Sequence, residues 1–352
     1  MKKTTSHSTL LSFPLSSVLG ICMGLSACSA PPSSSSEGSK SGGSTSGGSK
    51  SGGSTSGGST SGGSTSGGGG AVTTSTNTSN GIFPSDNAWN QDISGAEVDP
   101  DSAAYIAEMA PSTGMHPDFS NIVDGNYGIP YMVVNADQAM MPINFTDYAD
   151  ESDPGPYPIP LNAPVENGSD QHVIGVDVAH HMLYELFTAS AGGSGWDAAC
   201  GAKFDMTSNA ERTEGWTSAD AAGLPIFPGL VRADEVIDAG EIRHALRFTM
   251  VKSQAGYVEP ARHFASNSTD PTRPPMGLRV RLKASVDISG AGPQAKVILT
   301  ALKKYGMLFA DNGSNWYISG SPDARWDDDD LHTLGSIKGS DFEVVKHGPI
   351  GT

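Results

Sequence analysis

The chain has 352 residues and an acidic composition, with 21 lysines and arginines, 38 aspartates and glutamates, and a formal net charge of −17 at pH 7. An acidic excess of this size disfavours nucleic acid and anionic membrane surfaces as partners, and it also disfavours polyanionic substrates. The excess lies after residue 80, because the first 80 residues hold four lysines and one glutamate and leave a net charge of −20 for the rest.

The N-terminus has the pattern of an export signal. Two lysines come first, and an apolar stretch follows from about residue 10 to residue 25, too short and too interrupted for a membrane-spanning helix. The segment Leu25-Ser26-Ala27-Cys28 resembles the lipobox of bacterial lipoproteins. The resemblance implies a signal peptide over residues 1–27, acylation of Cys28 and, with Ser29 next, sorting to an outer membrane. The alternative is an ordinary secretory signal that contains a cysteine.

Residues 28–80 are predicted to be a lipidated cysteine followed by a disordered tether. The segment is almost entirely Ser, Gly and Thr, with SGGST repeated. Such a composition buries too little apolar surface to offset the loss of backbone entropy on folding. As a flexible coil the tether has a root-mean-square reach of about 40 Å. It would hold a folded domain away from the lipid surface.

Residues 81–352 are predicted to form a single mostly-β globular domain. A short helix is expected over 99–110, where Asp99 or Asp101 can cap the first turn. Short β-branched or aromatic runs bounded by Gly, Pro, Asn or Asp then predict a series of strands. These runs are 129–134, 141–145, 172–178, 182–189, 244–251, 278–284, 306–311 and 315–320.

The connections and helices of this domain follow from turn residues and apolar spacing. Residues 179–181 and 312–314 have the length of hairpin links, and Asn312-Gly313 favours a tight turn. A helix is predicted over 292–306, with a proline in its first turn and apolar residues at helical spacing. One- or two-turn helices are predicted over 217–225 and 233–240. The fold class is therefore mostly β, a sandwich or jelly-roll-like domain with long loops and a few short helices.

Several stretches of this domain resemble a family of secreted bacterial proteins. They include GWTSADAAGLPI, GEIRHALRFT, PARHFAS, PPMGLRVRLKAS and YGMLFADNGSNWYISG. The similarity extends over most of residues 82–345, but it implies no activity and no catalytic residue. Function has to be argued from the side chains themselves.

Two segments contain side chains suited to acid/base chemistry, and the first could supply the paired carboxylates that glycoside hydrolysis requires. Residues 150–153 contain three carboxylates before a proline-rich stretch, and the alternative is an acidic surface loop. Asp170 and His172 are two residues apart at the start of a predicted strand and would share one face. They could form a general acid/base pair or, equally, a buried polar network that closes the strand end.

Two further histidines, His244 and His263, flank apolar runs at predicted strand edges. With His172 they could converge at one end of the domain beside Asp170, Asp220 or Asp311 and form a metal site or an acid/base cluster. The histidines lack the short spacing common among zinc ligands, which disfavours a metal, and no cofactor is indicated. Alternatively, each histidine is a hydrogen-bonded core residue.

The remaining candidates have simpler interpretations. Cys200 has no cysteine partner in the folded part and is interpreted as a small buried residue. The acidic run 327–330 lacks the spacing of a calcium loop and is interpreted as a solvated turn. The five tryptophans could stack on sugar rings or fill the core.

These observations predict a lipid-anchored, exported protein at the outer membrane or cell surface. Its partners are an extracellular glycan and the membrane through Cys28, with no nucleic acid. The expected activity is hydrolysis or elimination of a polysaccharide by Asp170, His172, Asp220, His244, His263 and Asp311. The alternatives are a non-catalytic carbohydrate-binding or adhesion module and an enzyme that remodels the cell's own envelope.

Overall fold

The computed structural model describes residues 82–122 and 127–352. The predicted signal peptide, Cys28 and the tether to residue 80 lie outside these residues and remain predictions. The described residues all belong to one compact unit.

Short strands are the main regular elements of the described part. The strands are β1 (His116–Asp118), β2 (Met132–Val133), β3 (Ile143–Phe145), β4 (Val173–Asp177), β5 (Met182–Phe187), β6 (Ser190–Ala191), β7 (Trp196–Ala198), β8 (Cys200–Asp205), β9 (Leu246–Met250), β10 (Arg279–Leu282), β11 (Met307–Asn312), β12 (Tyr317–Ser319) and β13 (Phe342–Val344). The helices are α1 (Ser102–Glu108), α2 (Pro293–Lys304), α3 (Asp328–His332), a π-helix over Asp234–Ala239, and 3₁₀ turns over Ala88–Asn90, Ala149–Glu151, Phe227–Gly229, Thr333–Ser336 and Gly339–Asp341.

The strands form three mixed sheets. The largest has the order β1-β12-β9-β11-β10-β13, the second β2-β4-β5-β8 and the third β3-β7-β6. Parallel pairs occur in each sheet, namely β1 with β12, β9 with β11, β2 with β4, and β3 with β7. The mostly-β class, with long loops and few short helices, is confirmed.

Strand β9 in the middle of the largest sheet organises the core. Trp316 is fully buried and stacks between Phe248 of β9 and Phe342 of β13. Four of the five tryptophans are at most 3% exposed, and only Trp216 is half-buried. The tryptophans therefore mainly fill the core.

Helix α2 confirms the predicted helix of residues 292–306 and explains part of the acidic run. Its apolar face, which includes Ile298 and Leu302, is buried. The Asp330 carboxylate accepts the N–H groups of Gln294 and Ala295 at the start of α2, where unpaired backbone donors and the helix dipole favour a negative charge. Asp327 caps α3 by accepting the N–H of Asp330.

Most predicted elements are confirmed. Each of the eight predicted strand runs contains a strand, and the helices predicted over 99–110 and 233–240 correspond to α1 and the π-helix. The link 179–181 joins β4 to β5 in an antiparallel hairpin.

Two local predictions are wrong. Residues 217–225 form turns and bends instead of a helix, because their polar groups bond within the loop. Residues 312–314 do not close a hairpin, because β9 lies between β11 and β12 in the sheet. The backbone groups that a hairpin would pair are thus taken by β9, a strand some 60 residues earlier in the chain.

Candidate functional site

An arginine on the central strand is the centre of a buried polar cluster. Arg247 lies on β9 and is 3% exposed. Its Nε donates to Oδ2 of Asp220 over 3.0 Å, and its Nη2 donates to Oδ1 over 2.8 Å. Its Nη1 donates to Oγ of Ser319 on the neighbouring strand β12. This bidentate pair compensates two buried charges and fixes both side chains.

The loop that presents Asp220 is held rigidly beside β11. The Ser218 hydroxyl accepts the N–H of Asp220 over 2.9 Å and donates to the Leu224 carbonyl over 2.5 Å. The N–H of Ala222 donates to the carbonyl of Ala310 on β11 over 2.9 Å. Asp220 is thereby brought close to the end of that strand.

A β-bulge turns Asp311 toward the same cluster. Along β11, Leu308 lies opposite Arg247, but the register shifts at Ala310 so that Asp311 lies opposite Thr249. Because side chains alternate between faces, this extra residue places Asp311 on the sheet face that holds Arg247. Asp311 as a whole residue is half-buried there.

The environment of Asp311 favours its protonated form. Burial raises the pKa of Asp311 to about 7, and the negative charges of Asp220 and Asp170 act in the same direction, while Arg247 and His172 oppose it. A carboxyl group with this pKa is close to half-protonated at neutral pH. It can therefore act as a general acid or base.

His172 is clamped between two acceptors at the edge of the cluster. Its Nδ1 lies 2.5 Å from Oε2 of Glu166, and its Nε2 lies 2.9 Å from the carbonyl oxygen of Ala219. Burial alone would lower the pKa of His172, but the charge and hydrogen bond of Glu166 outweigh burial and raise it to about 9. Both ring nitrogens therefore donate hydrogen bonds. The ring is an imidazolium that links the loop of Glu166 to the loop of Ala219.

This pairing predicts a loss of stability at alkaline pH. Because the pKa of His172 rises from its ordinary value of 6.5 to about 9 in the folded state, its contribution is complete below pH 6.5 and is lost as pH rises through 9. Replacement of His172 by glutamine should remove this part of the decline in the free energy of unfolding between pH 6.5 and 9.5, measured by urea denaturation.

The matched control is His180→Gln, because His180 is 61% exposed and bonds a carboxylate, that of Asp177, on its own hairpin. The control should keep the alkaline decline of the wild type. An unchanged decline in His172→Gln would contradict the imidazolium assignment.

Asp170 lies beside the cluster but is not the main partner of His172. Gln171, with φ of 45°, turns the backbone between them, so the strand alternation expected from the sequence does not apply. Asp170 is exposed and accepts the hydroxyl of Ser169 over 3.0 Å. Its charge acts on both Asp311 and His172.

His263 lies on the other side of the Asp220 loop. Its Nδ1 is 2.6 Å from the carbonyl oxygen of Ala221. Because a carbonyl only accepts, Nδ1 donates this hydrogen bond. Asn312, the residue after Asp311, donates to the carbonyl of Ala265 over 3.0 Å. The segment that contains His263 therefore runs beside the end of β11.

His244 belongs to a different set of contacts. Its Nε2 lies 3.0 Å from Oε2 of Glu235, and its Nδ1 lies 2.8 Å from the carbonyl oxygen of Ala245. Glu235 also accepts Nη2 of Arg232 over 2.5 Å. Both ring nitrogens of His244 are thus occupied, and its role is to hold the buried start of β9.

The acidic segment 150–153 also has structural partners. Asp153 accepts the backbone N–H of Lys203 over 2.8 Å and Nη1 of Arg212 over 2.6 Å. Glu151 accepts the N–H of Thr217 over 2.9 Å. These bonds tie the segment to β8 and to the loop that follows it, so Glu151 and Asp153 serve the fold.

The structure therefore brings Asp170, His172, Asp220 and Asp311 together, places His263 next to them and leaves His244 apart. Sequence reasoning missed Arg247, Glu166 and Asp118. Asp118 ends β1 opposite Ser319, and burial together with the charge of Glu166 raises its pKa to about 6. The sequence feature that could have indicated this cluster is Arg247, because a charged residue within an apolar strand has to be paired with an opposite charge.

Two surface pockets lie away from this cluster. Pockets of about 310 and 580 Å³ share Ala88, Gln91, Glu259 and Pro260 and thus form one groove. The groove contains no member of the acid cluster. Within it, Arg262 contacts both Glu211 and Glu259.

The fold and this cluster define the class, a mostly-β protein with carboxylates and an imidazolium grouped around the guanidinium of Arg247 on the largest sheet. Within residues 82–122 and 127–352 no group of three or more His, Cys, Asp or Glu side chains is arranged to hold a metal ion. The same residues include no helix with the length and hydrophobicity needed to cross a bilayer. No protein-family model, curated protein or solved structure matches the chain.

Proposed function

We propose that this protein is a surface-anchored extracellular enzyme that hydrolyses a polysaccharide. Asp311 is the general acid and Asp170 is the second carboxylate. The observation that carries the proposal is the half-buried Asp311, which a β-bulge turns onto the face of the Arg247–Asp220 pair beside an exposed aspartate.

Two carboxyl groups in different environments are what glycoside hydrolysis uses. Asp311, with a pKa of about 7, donates its proton to the glycosidic oxygen as the bond breaks. Asp170, on the exposed loop, faces the developing positive charge at the sugar as nucleophile or as base for a water molecule. Nε2 of His263 can bond a substrate hydroxyl or the attacking water.

The rest of the cluster keeps these groups in place. Arg247 donates to Asp220 and Ser319, and His172 contacts Glu166 and Ala219 through its two ring nitrogens. Elimination from a uronic acid needs a cation that neutralises the substrate carboxylate, and both cations of the cluster are already engaged. This supports hydrolysis over elimination.

A glycan panel tests the activity. We expect the purified protein to release reducing ends from at least one neutral polysaccharide, such as cellulose, xylan, laminarin or mannan. Peptidoglycan in the same panel tests an enzyme that remodels the cell's own envelope. Retention of a polysaccharide without cleavage would support the non-catalytic binding module. The proposal would be overturned if the protein failed both to bind and to cleave every glycan of the panel.

The proposal includes a location at the membrane surface, which depends on lipid attachment at Cys28. We expect cells grown with radioactive palmitate to label this protein, with the label in the membrane fraction, because acylation anchors the chain. Cys28→Ser should lose the label and leave the membrane fraction. Cys200→Ser is the matched control, since Cys200 is buried in the folded domain and should not affect labelling. Label that persists in Cys28→Ser would contradict the anchor.

A further inference from the structure

The groove contains a pocket of about 580 Å³ with the largest sheet as its floor. Arg279 on β10 lies opposite Leu308 on β11, and the N–H of Val345, just after β13, donates to the Arg279 carbonyl over 2.9 Å. Side chains of residues that lie opposite each other share one sheet face, and all three residues line the pocket. A cavity of this volume is in the range of small-molecule sites.

Arg279 differs from the other arginines of residues 82–122 and 127–352 because no carboxylate pairs with it. Each of the others contacts an aspartate or a glutamate. Burial lowers the pKa of Arg279 to about 10, so the guanidinium is still charged at pH 7. A charge that is partly removed from water without an opposite charge is costly.

Backbone carbonyls fix the guanidinium of Arg279 without neutralising it. Its Nε and Nη2 donate to the Tyr305 carbonyl over 3.0 and 2.7 Å, Nη2 also donates to that of Gln91 over 3.1 Å, and Nη1 donates to that of Ala88 over 2.7 Å. These bonds use four of the five N–H groups. The Tyr305 carbonyl, just after α2, supplies only the partial negative charge of a helix end. One donor on Nη1 and most of the positive charge are left for another partner.

The other charged groups of the pocket already have partners. Glu214 accepts the hydroxyl of Tyr257 over 2.8 Å, and Glu259 lies 3.5 Å from Nη2 of Arg262. Lys346 adds a further cation to the lining, although it is 58% exposed. A ligand in the pocket therefore meets Arg279 as the unpaired charge.

The rest of the lining is largely aliphatic. Most of these side chains are less than 10% exposed, and that of Ile350 is 36% exposed. They are Ile93, Val258, Leu308, Val345 and Ile350. The pocket thus combines one unpaired cation with apolar walls.

We infer that this pocket binds an organic carboxylate, with the carboxylate on Nη1 of Arg279 and an apolar body against the aliphatic walls. The carboxylate supplies the negative charge that the chain does not provide, through a charge-assisted hydrogen bond. A phosphate group carries up to two negative charges and several acceptor oxygens, and it would meet one free donor together with the carboxylates of Glu214 and Glu259. The inference does not depend on the proposed hydrolase, because the pocket contains no member of the acid cluster.

Calorimetry with the full-length chain at pH 7 tests the ligand class. The probes are 4-phenylbutyrate, cyclohexylacetate and octanoate, the neutral amide of each, and inorganic phosphate. At least one carboxylate should bind with a dissociation constant of about 1 mM or lower. Its amide, which has the same shape without the charge, should bind at least about tenfold more weakly, and so should phosphate.

Variants assign the binding to this pocket. Arg279→Met should raise the dissociation constant of the carboxylate about 10–100-fold, because a hydrogen bond to a charged group is lost. Ile350→Asp adds a negative charge to the lining and leaves the bonds of Arg279 intact, so it provides the test if Arg279→Met does not fold, and it should raise the constant about fivefold. The matched control is Ile237→Asp, since Ile237 is also 36% exposed but lies on the π-helix outside the pocket. It should leave the constant unchanged.

Four results would overturn the site. They are no binding of any of the three carboxylates, equal binding of a carboxylate and its amide, tighter binding of phosphate, and the same affinity in Ile350→Asp as in Ile237→Asp. Carboxylate binding that depends on Arg279 and Ile350 would uphold the site even if the protein cleaved no glycan.

Discussion

Replacement of Arg247 by methionine is expected to lower the free energy of unfolding by about 3–5 kcal/mol, because it leaves a buried charge without its partner. Asp220 has no exposed surface and accepts two hydrogen bonds from this arginine. Ser319 loses its donor in the same variant. Urea denaturation at pH 7 measures the change.

A surface arginine provides the control for this prediction. Arg325 pairs with Asp238 and Asp323 but is 39% exposed, so Arg325→Met should cost at most about 1 kcal/mol. The double variant Arg247→Met/Asp220→Leu should recover part of the lost stability, because an apolar pair of similar volume avoids the unpaired charge. A loss in Arg247→Met as small as that of Arg325→Met would mean that the pair does not stabilise the fold.

The sequence was sufficient for elements that are specified by local pattern. Strands with β-branched or aromatic residues, such as β4 and β9, and a helix with a proline start and an apolar face, such as α2, could be predicted. Strands β1, with sequence HPD, and β8, with sequence CGAKFD, lack that pattern and were missed. They are strands because long-range partners complete their hydrogen bonds.

The candidate site could be predicted only in part, because its assembly also depends on long-range strand pairing. Asp170, His172, Asp220 and Asp311 were recognised as chemically capable residues, but their meeting depends on β9 lying between β11 and β12 and on the bulge at Ala310. Neither feature has a local signal. Glu166, the partner of His172, lies in an irregular loop, and only the fold of that loop selects it over Asp170.

If the protein is a hydrolase, Asp311→Asn should have the largest effect on its activity. Loss of a general acid is expected to lower kcat/KM on the natural polysaccharide about 10²–10⁴-fold. The loss of kcat/KM in Asp311→Asn should be far smaller on an aryl glycoside, because its phenolate leaves without protonation. The unmodified enzyme should lose kcat/KM as pH rises through about 7, where burial and the charge of Asp220 place the pKa of Asp311, and the variant should lack that decline.

Two comparisons separate proton donation from other roles of Asp311. Asp137→Asn removes the same charge at an exposed turn and should leave kcat/KM unchanged on both substrates. Asp170→Asn should slow hydrolysis of the aryl glycoside as much as that of the polysaccharide, because a nucleophile or base is needed whatever the leaving group. Equal losses on both substrates in Asp311→Asn, or an alkaline decline that persists in it, would instead show that Asp311 acts through its charge and that another group supplies the proton.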